Sequence, residues 1–123
     1  MSTVKKLLVV EDDAAMNLLL HDFLKNQGYE VNMASSAKGA LQWLKSRAPE
    51  QRPNLVLSDI KLGALSGIDL CKKITRDYPR LPVVLFSVFD QLEKEALRSG
   101  ARQFLKKPFP LVTLAEVLNE HLE

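Results

Sequence analysis

The sequence predicts an α/β fold in which five parallel strands, in the order 2-1-3-4-5, form a doubly wound sheet with five helices spread over its two faces. Three observations carry this expectation. Short apolar runs alternate five times with segments whose apolar residues recur at helical spacing, the pattern of repeated strand-helix units. Runs such as Leu7 to Val10 are apolar without interruption, as strands covered on both faces require. Right-handed crossovers then place strands one and three side by side at the topological switch point, where ligands bind beyond the carboxyl ends of strands.

The elements follow in order. "KLLVV" reads as a buried strand, and Met16, Leu19, Leu20, Phe23 and Leu24 fall on one helical stripe that Gly28 terminates. "YEVNMA" alternates as a second strand; Ser35 or Ser36 can cap the helix whose stripe is Ala37, Ala40, Leu41 and Leu44. After a loop from Pro49 to Pro53, "NLVLSD" is the third strand, followed by a helix from about Gly67 with Ile68, Cys71, Ile74 and Tyr78 inward. "LPVVLFS" is the fourth strand. A short, weakly amphipathic helix around Gln91 to Ser99 follows it and stops at Gly100. "RQFLK" is the fifth strand, and Pro110 opens a last helix with Leu111, Leu114, Val117 and Leu118 inward.

A chain of 123 residues supports one domain with one core, spanning 1–123. It is 46% hydrophobic and 26% charged, with a net charge of only +2 from scattered lysines and arginines. That distribution argues against nucleic-acid binding by this domain. The single cysteine, Cys71, cannot form an internal disulfide and reads as the buried side of a helix, which points to a reducing compartment. The apolar run before Glu11 is too short for a signal peptide or membrane span. The expected location is the cytoplasm, with no membrane partner. The closing Leu122-Glu123 fits a cloning remnant on a domain cut from a longer protein as well as it fits a native end.

Function should lie at the strand ends. Glu11, Asp12 and Asp13 follow the first strand, Asp59 the third, Ser87 the fourth and Lys107 the fifth. Taken singly, each has a structural explanation: an acid can cap a helix, and a serine or a lysine before proline is unremarkable. One cap needs one acid, however, and three in succession are costly. At a separation of 4 Å and an effective dielectric near 20, each like-charged pair repels by about 4 kcal/mol. Acids at two neighbouring strand ends make an oxygen-rich pocket for a hard cation, and Mg²⁺, with Mn²⁺ as substitute, suits such a pocket. The ion relieves the repulsion and attracts a phosphoryl group. Ser87 can donate to a phosphoryl oxygen and Lys107 can neutralise its charge, which is most of what phosphoryl transfer asks of a protein.

Over essentially its whole length the sequence resembles a response-regulator receiver domain of two-component signalling, with the flavodoxin-like fold. The motifs that carry the resemblance are "VVEDD", "LVLSDIKL", "GIDL", "VVLFS" and "GARQFLKKPF", in the family's order and approximate spacing. The resemblance implies that Asp59 is the phosphoacceptor, and that Glu11 and Asp12 are the acidic pair, Asp12 being the direct metal ligand. It further implies that the Lys61 backbone carbonyl completes the metal site. Ser87 becomes the switch hydroxyl, Lys107 the phosphate-binding lysine with a cis peptide to Pro108, and Phe104 the switch aromatic. Asp13 stays a helix cap. A sensor histidine kinase or histidine phosphotransfer protein is the implied donor, and a downstream protein or an output domain the implied target. Such a domain assists its own phosphorylation and dephosphorylation without being an enzyme.

The sequence departs from the family's pattern in places. Gly63 stands where proline is usual, Val88 is larger than the alanine or glycine expected after the switch hydroxyl, and the segment from Ser87 to Gly100 is about two residues short. The fourth helix should therefore be truncated or partly unwound, and Val88 should crowd the path to Asp59, with Lys61 and Phe89 as further influences on an attacking water. Trp43 reads as a half-exposed packing residue, and His21 and His121 as solvated. The alternatives are a receiver that signals by constitutive contacts and an Mg²⁺-dependent aspartyl phosphohydrolase. The second is disfavoured because it usually needs an acid where Lys61 stands. A flavodoxin-like cofactor binder would meet three acids where it needs to hold phosphate.

Overall fold

The computed structural model describes residues 4–122; Glu123 of the closing dipeptide lies outside them. The elements are β1 (Lys6–Val10), α1 (Ala14–Asn26), β2 (Glu30–Ala34), α2 (Ala37–Lys45), β3 (Leu55–Asp59), α3 (Gly67–Asp77), β4 (Val83–Ser87), α4 (Glu93–Arg98), β5 (Gln103–Lys106) and α5 (Leu111–Leu122). All neighbouring strands pair in parallel, in the order β2-β1-β3-β4-β5, as expected.

Because successive side chains on a strand point to opposite faces, each central strand feeds two cores. Leu7, Val9, Leu55, Leu57, Val84 and Phe86 pack against Leu20 and Leu24 of α1 and Leu114, Val117 and Leu118 of α5. Leu8, Val10, Val56, Val83 and Leu85 face the other way, towards α2, α3 and Ala96 of α4. This double burial is why Leu7 to Val10 of β1, Leu55 to Leu57 of β3 and Val83 to Phe86 of β4 read as apolar runs.

The helix ends show why these segments start and stop. Asp13 caps α1, its Oδ1 accepting the Met16 N–H at 3.0 Å. At the other end Gly28 takes φ +96°, and the Gly28 and Tyr29 amides donate to the carbonyls of Lys25 and Leu24, satisfying groups the helix leaves unpaired. Ser36, rather than Ser35, caps α2 through its Oγ and the Gly39 N–H at 3.0 Å. Ser66 and Asp69 form a reciprocal capping box on α3. The fourth helix is truncated, as its short segment predicts: α4 is six residues long, is entered through a 3₁₀ turn at Asp90–Leu92 and has no side-chain cap.

Two expectations are corrected. Leu19 is 50% exposed instead of inward. Each residue advances about 100° around a helix, so Leu19 is carried to the flank of the line through Leu20 and Leu24 that meets the sheet. His121 is half-buried and hydrogen-bonds through Nε2 to Gln103 Oε1 at 2.8 Å, tying α5 to β5, so it is not simply solvated. Trp43 is half-buried against the α2–α3 core, as expected, with the Arg47 guanidinium stacked 4.7 Å from its ring centroid.

Cys71 is fully buried, and burial raises its thiol pKa despite weak contacts to the Ser99 carbonyl and Thr75. In the unfolded chain a thiol ionises at about 8.5. Below that pH both states hold the proton, and above it the unfolded state loses its proton first. Stability contributed by the protonated thiol is therefore expected to fall as pH rises through that value. Alkylation by iodoacetamide should be slower in the native than in the urea-unfolded protein, because a buried thiol with a raised pKa offers little accessible thiolate; equal rates would contradict the burial.

Candidate functional site

The site is built where β1, β3 and β5 end. Beyond β1 the chain stays paired with β2 for one more residue, the Glu11 N–H donating to the Ala34 carbonyl at 3.0 Å. That contact draws Glu11 inward to 1% exposure, while Asp12 remains exposed. Glu11 Oε2 accepts the Asp13 N–H at 3.2 Å. Asp59, the last residue of β3, is 7% exposed, and its Oδ1 accepts the Lys61 N–H at 3.0 Å.

Lys107 closes the arrangement. Its backbone N–H donates to the Ser87 carbonyl at 2.8 Å, extending the β4–β5 ladder by one residue. Its side chain then crosses β4 with the ammonium 4.7 Å from the Phe86 ring centroid, a favourable cation-π approach. From there Nζ donates to Asp59 Oδ2 at 2.8 Å and to Glu11 Oε1 at 3.0 Å. One side chain thus links the ends of three strands. The peptide between Lys107 and Pro108 is cis, as the resemblance implies.

The electrostatics follow from burial. Desolvation pushes the Glu11 carboxyl above its ordinary range, with the Asp59 charge adding to the rise, and the bonds from Lys107 and the Asp13 amide only partly oppose it. For Lys107, burial alone would lower the pKa. The bonds and charges of Asp59 and Glu11 outweigh burial and raise it, so the ammonium stays charged at neutral pH.

Glu11, Asp12 and Asp59 each offer a carboxylate oxygen, and these atoms lie within 4.8 Å of one another. An all-oxygen, negatively charged set of this kind fits a hard divalent ion such as Mg²⁺ or Mn²⁺. Ser87 ends β4 and is 1% exposed; its Oγ accepts the Phe89 N–H at 3.1 Å. The hydroxyl proton is thereby left to donate elsewhere. Phe104 lies apart from the acids, half-buried on β5, paired in register with Leu85 and packed against the α2–α3–α4 core. Lys61 and Phe89 approach each other from two loops, the ammonium 5.2 Å from the ring centroid. Between Ser87 and Phe89, Val88 is 53% exposed.

Phe86 is the residue near the site that sequence reasoning overlooked. Its signal was available, since a large aromatic directly before the strand-end serine must face one of the two cores next to the site. Its role under Lys107 depends on a lysine 21 positions further along the chain, and no local pattern carries that information.

Residues 7–119 match the model of the response regulator receiver domain. The chain belongs to that family. Among receivers, the chemotaxis protein CheY of Thermotoga maritima is 33% identical over 119 residues, which cover 94% of this chain and 96% of CheY. The nitrogen assimilation regulatory protein NtrX of Azorhizobium caulinodans is 34% identical over 95% of this chain, but the match covers only 26% of NtrX. A solved CheY-like receiver from Methanospirillum hungatei superimposes with a TM-score of 0.89 at 28% identity, over 98% of this chain and 94% of its own. The chain therefore spans nearly all of some relatives and about a quarter of others. It is a two-component response-regulator receiver domain, the signalling class to which its fold, motifs and relatives all point. Among the described residues, no helix is long and apolar enough to cross a membrane.

Proposed function

We propose that this receiver, taking up the whole of residues 1–123, accepts a phosphoryl group on Asp59 and uses it to switch a protein-interaction face. The observation that carries this reading is the Lys107 ammonium bonded to both Asp59 and Glu11 at the strand ends. In the proposed reaction one Asp59 carboxylate oxygen attacks phosphorus in line. A P–O bond forms as the bond to the donor breaks: P–N to a phosphohistidine, or P–O to the acetate of acetyl phosphate. The Lys61 N–H and Lys107 Nζ hold the carboxylate in place, so little orientation remains to be lost at the moment of attack.

Asp12, Asp59 and the Lys61 carbonyl, backed by Glu11, are the residues to hold Mg²⁺, which when bound offsets the negative charge of the incoming phosphoryl group. Lys107 and the Ser87 hydroxyl supply further charge and a hydrogen bond. Phe104 reports the change to the surface. The domain in this sense assists its own phosphorylation and the later hydrolysis. The donor is a histidine kinase or histidine phosphotransfer protein in the cytoplasm, and the listener is a downstream protein or an output domain.

Incubation with acetyl phosphate and Mg²⁺ should add the mass of one HPO₃ to the intact protein, and chelation of the metal should prevent the gain. No gain under any condition would favour a receiver acting through constitutive contacts. A gain indifferent to the metal would remove the acidic cluster from its role.

Val88 follows Ser87 directly and is 53% exposed, and in this reading its side chain crowds the approach to Asp59. Val88→Ala is expected to accelerate both gain and loss of phosphate by about 3- to 10-fold, equivalent to about 0.7 to 1.4 kcal/mol of barrier. Rates within error of the parent would mean that Val88 points away from the approach.

A further inference from the structure

A second surface shares with the candidate site the loop that follows β3, but none of that site's acids, Ser87 or Lys107. Between α2 and α3 runs an open groove of about 660 Å³. Its floor is apolar: Leu41 from α2, Leu62 and Leu65 from the loop after β3, and Tyr78 at the end of α3. Its banks are basic, with Lys38 and Lys45 on the α2 side and Lys73 and Arg76 on the α3 side. The one acid in the lining, Asp77, is held by Arg76 through bonds of 2.9 and 3.1 Å. Among the described residues Lys38, Lys45 and Lys73 form no ion pair. Lys45 and Lys73 still feel the Asp77 charge, but four cations and one acid leave the lining with a net positive charge around one apolar trough.

We propose that this groove docks an acidic amphipathic helix of a partner protein. The apolar floor supplies the area such a helix buries, and a lysine bank on each side is complementary to acids flanking its apolar stripe. Lys38 and Lys45 are separated by about 10 Å along α2, two helical turns, so the banks match a short helix lying lengthwise. Nucleic acid would meet the lysines but gain nothing from the leucines. The surface needs no phosphoryl group to exist, so it operates in addition to the switch proposed for Asp59.

The probe is a synthetic peptide of about 14 residues, with leucines three and four apart on one face and glutamates elsewhere. Titrated into the ¹⁵N-labelled protein, it should shift amides of α2, α3 and the Leu62–Leu65 loop, and bind more weakly as salt rises from about 50 to about 300 mM. Lys45→Glu/Lys73→Glu should weaken binding at least tenfold and instead bind the same peptide with lysine in place of glutamate. Leu65→Glu should abolish binding of the acidic peptide. Asp59→Asn should bind it like the parent, which separates this surface from the phosphoacceptor reading. Absence of binding, shifts confined to another face, equal affinity for a peptide with the leucines scrambled, or preference for anionic lipid vesicles over the peptide would each overturn the proposal.

Discussion

Gly67→Ala is expected to destabilise the domain by about 1–3 kcal/mol, the range of an overpacked core position. An alanine at the first position of a helix would normally be neutral or helpful, because glycine is the poorer helix former. Here the backbone leaves no room. A Cβ at position 67 would stand 2.9 Å from both the Asp59 carbonyl carbon and Ile60 Cα, and would overlap the Asp59 carbonyl oxygen. All three are backbone atoms, so no side chain can swing aside. The Gly67 N–H also donates to the Ile60 carbonyl at 2.8 Å, pinching the loop from Lys61 to Ser66 at its base. Relief of the clash must push α3 away from β3 and disturb the backbone that carries the candidate phosphoacceptor. Urea unfolding should show a lowered midpoint with an unchanged slope, and metal affinity should fall with it. A midpoint equal to or above the parent's would mean that α3 docks without this close approach.

The second large effect concerns chemistry and spares the fold. Asp59→Asn should reduce phosphoryl gain from acetyl phosphate to below detection, because an amide oxygen lacks the charge needed to attack phosphorus. The isosteric side chain keeps one oxygen to accept the bond that Lys107 now gives Asp59 at 2.8 Å and gives up the acceptor that the Lys61 N–H uses at 3.0 Å, while Lys107 retains Glu11 at 3.0 Å. The circular dichroism spectrum is therefore expected to match the parent's. Removing the Asp59 charge also removes one cause of the elevated Glu11 pKa, so that pKa should fall. Carboxyl ¹³C shifts followed against pH would detect the change. A variant that folds and still gains phosphate at the parent's rate would move the acceptor elsewhere.

How far each feature could be read from the chain depends on the range of the physics behind it. Strands such as Val83–Ser87 announce themselves because burial on both faces leaves Val83, Val84, Leu85 and Phe86 apolar in consecutive positions. The Asp13 cap is equally local, its acceptor only three residues from the amide it satisfies. The strand-end residues Glu11, Asp59, Ser87 and Lys107 could be gathered in advance because parallel topology sends every strand's carboxyl end to the same edge. Their bonding pattern could not, since Lys107 meets partners 48 and 96 positions away. The same limit hid Phe86 beneath that lysine, and the approach of Lys61 to Phe89. Leu19 differs for another reason: a residue beside the buried line satisfies a helical stripe as well as one on it, and only the packed sheet decides between them. His121 found its partner, Gln103, on a separate strand, which sequence spacing does not reveal.

The most direct measurement is the chemical location of the phosphoryl group. After reaction with acetyl phosphate and Mg²⁺, borohydride converts an acyl phosphate to the corresponding alcohol, and tandem mass spectrometry of the digested protein then identifies the residue. Homoserine at position 59 and at no other acid is the predicted result. Reduction at Asp12, Asp13 or Glu11, or a phosphoryl group recovered on a serine or histidine, would contradict the assignment of Asp59 as the acceptor.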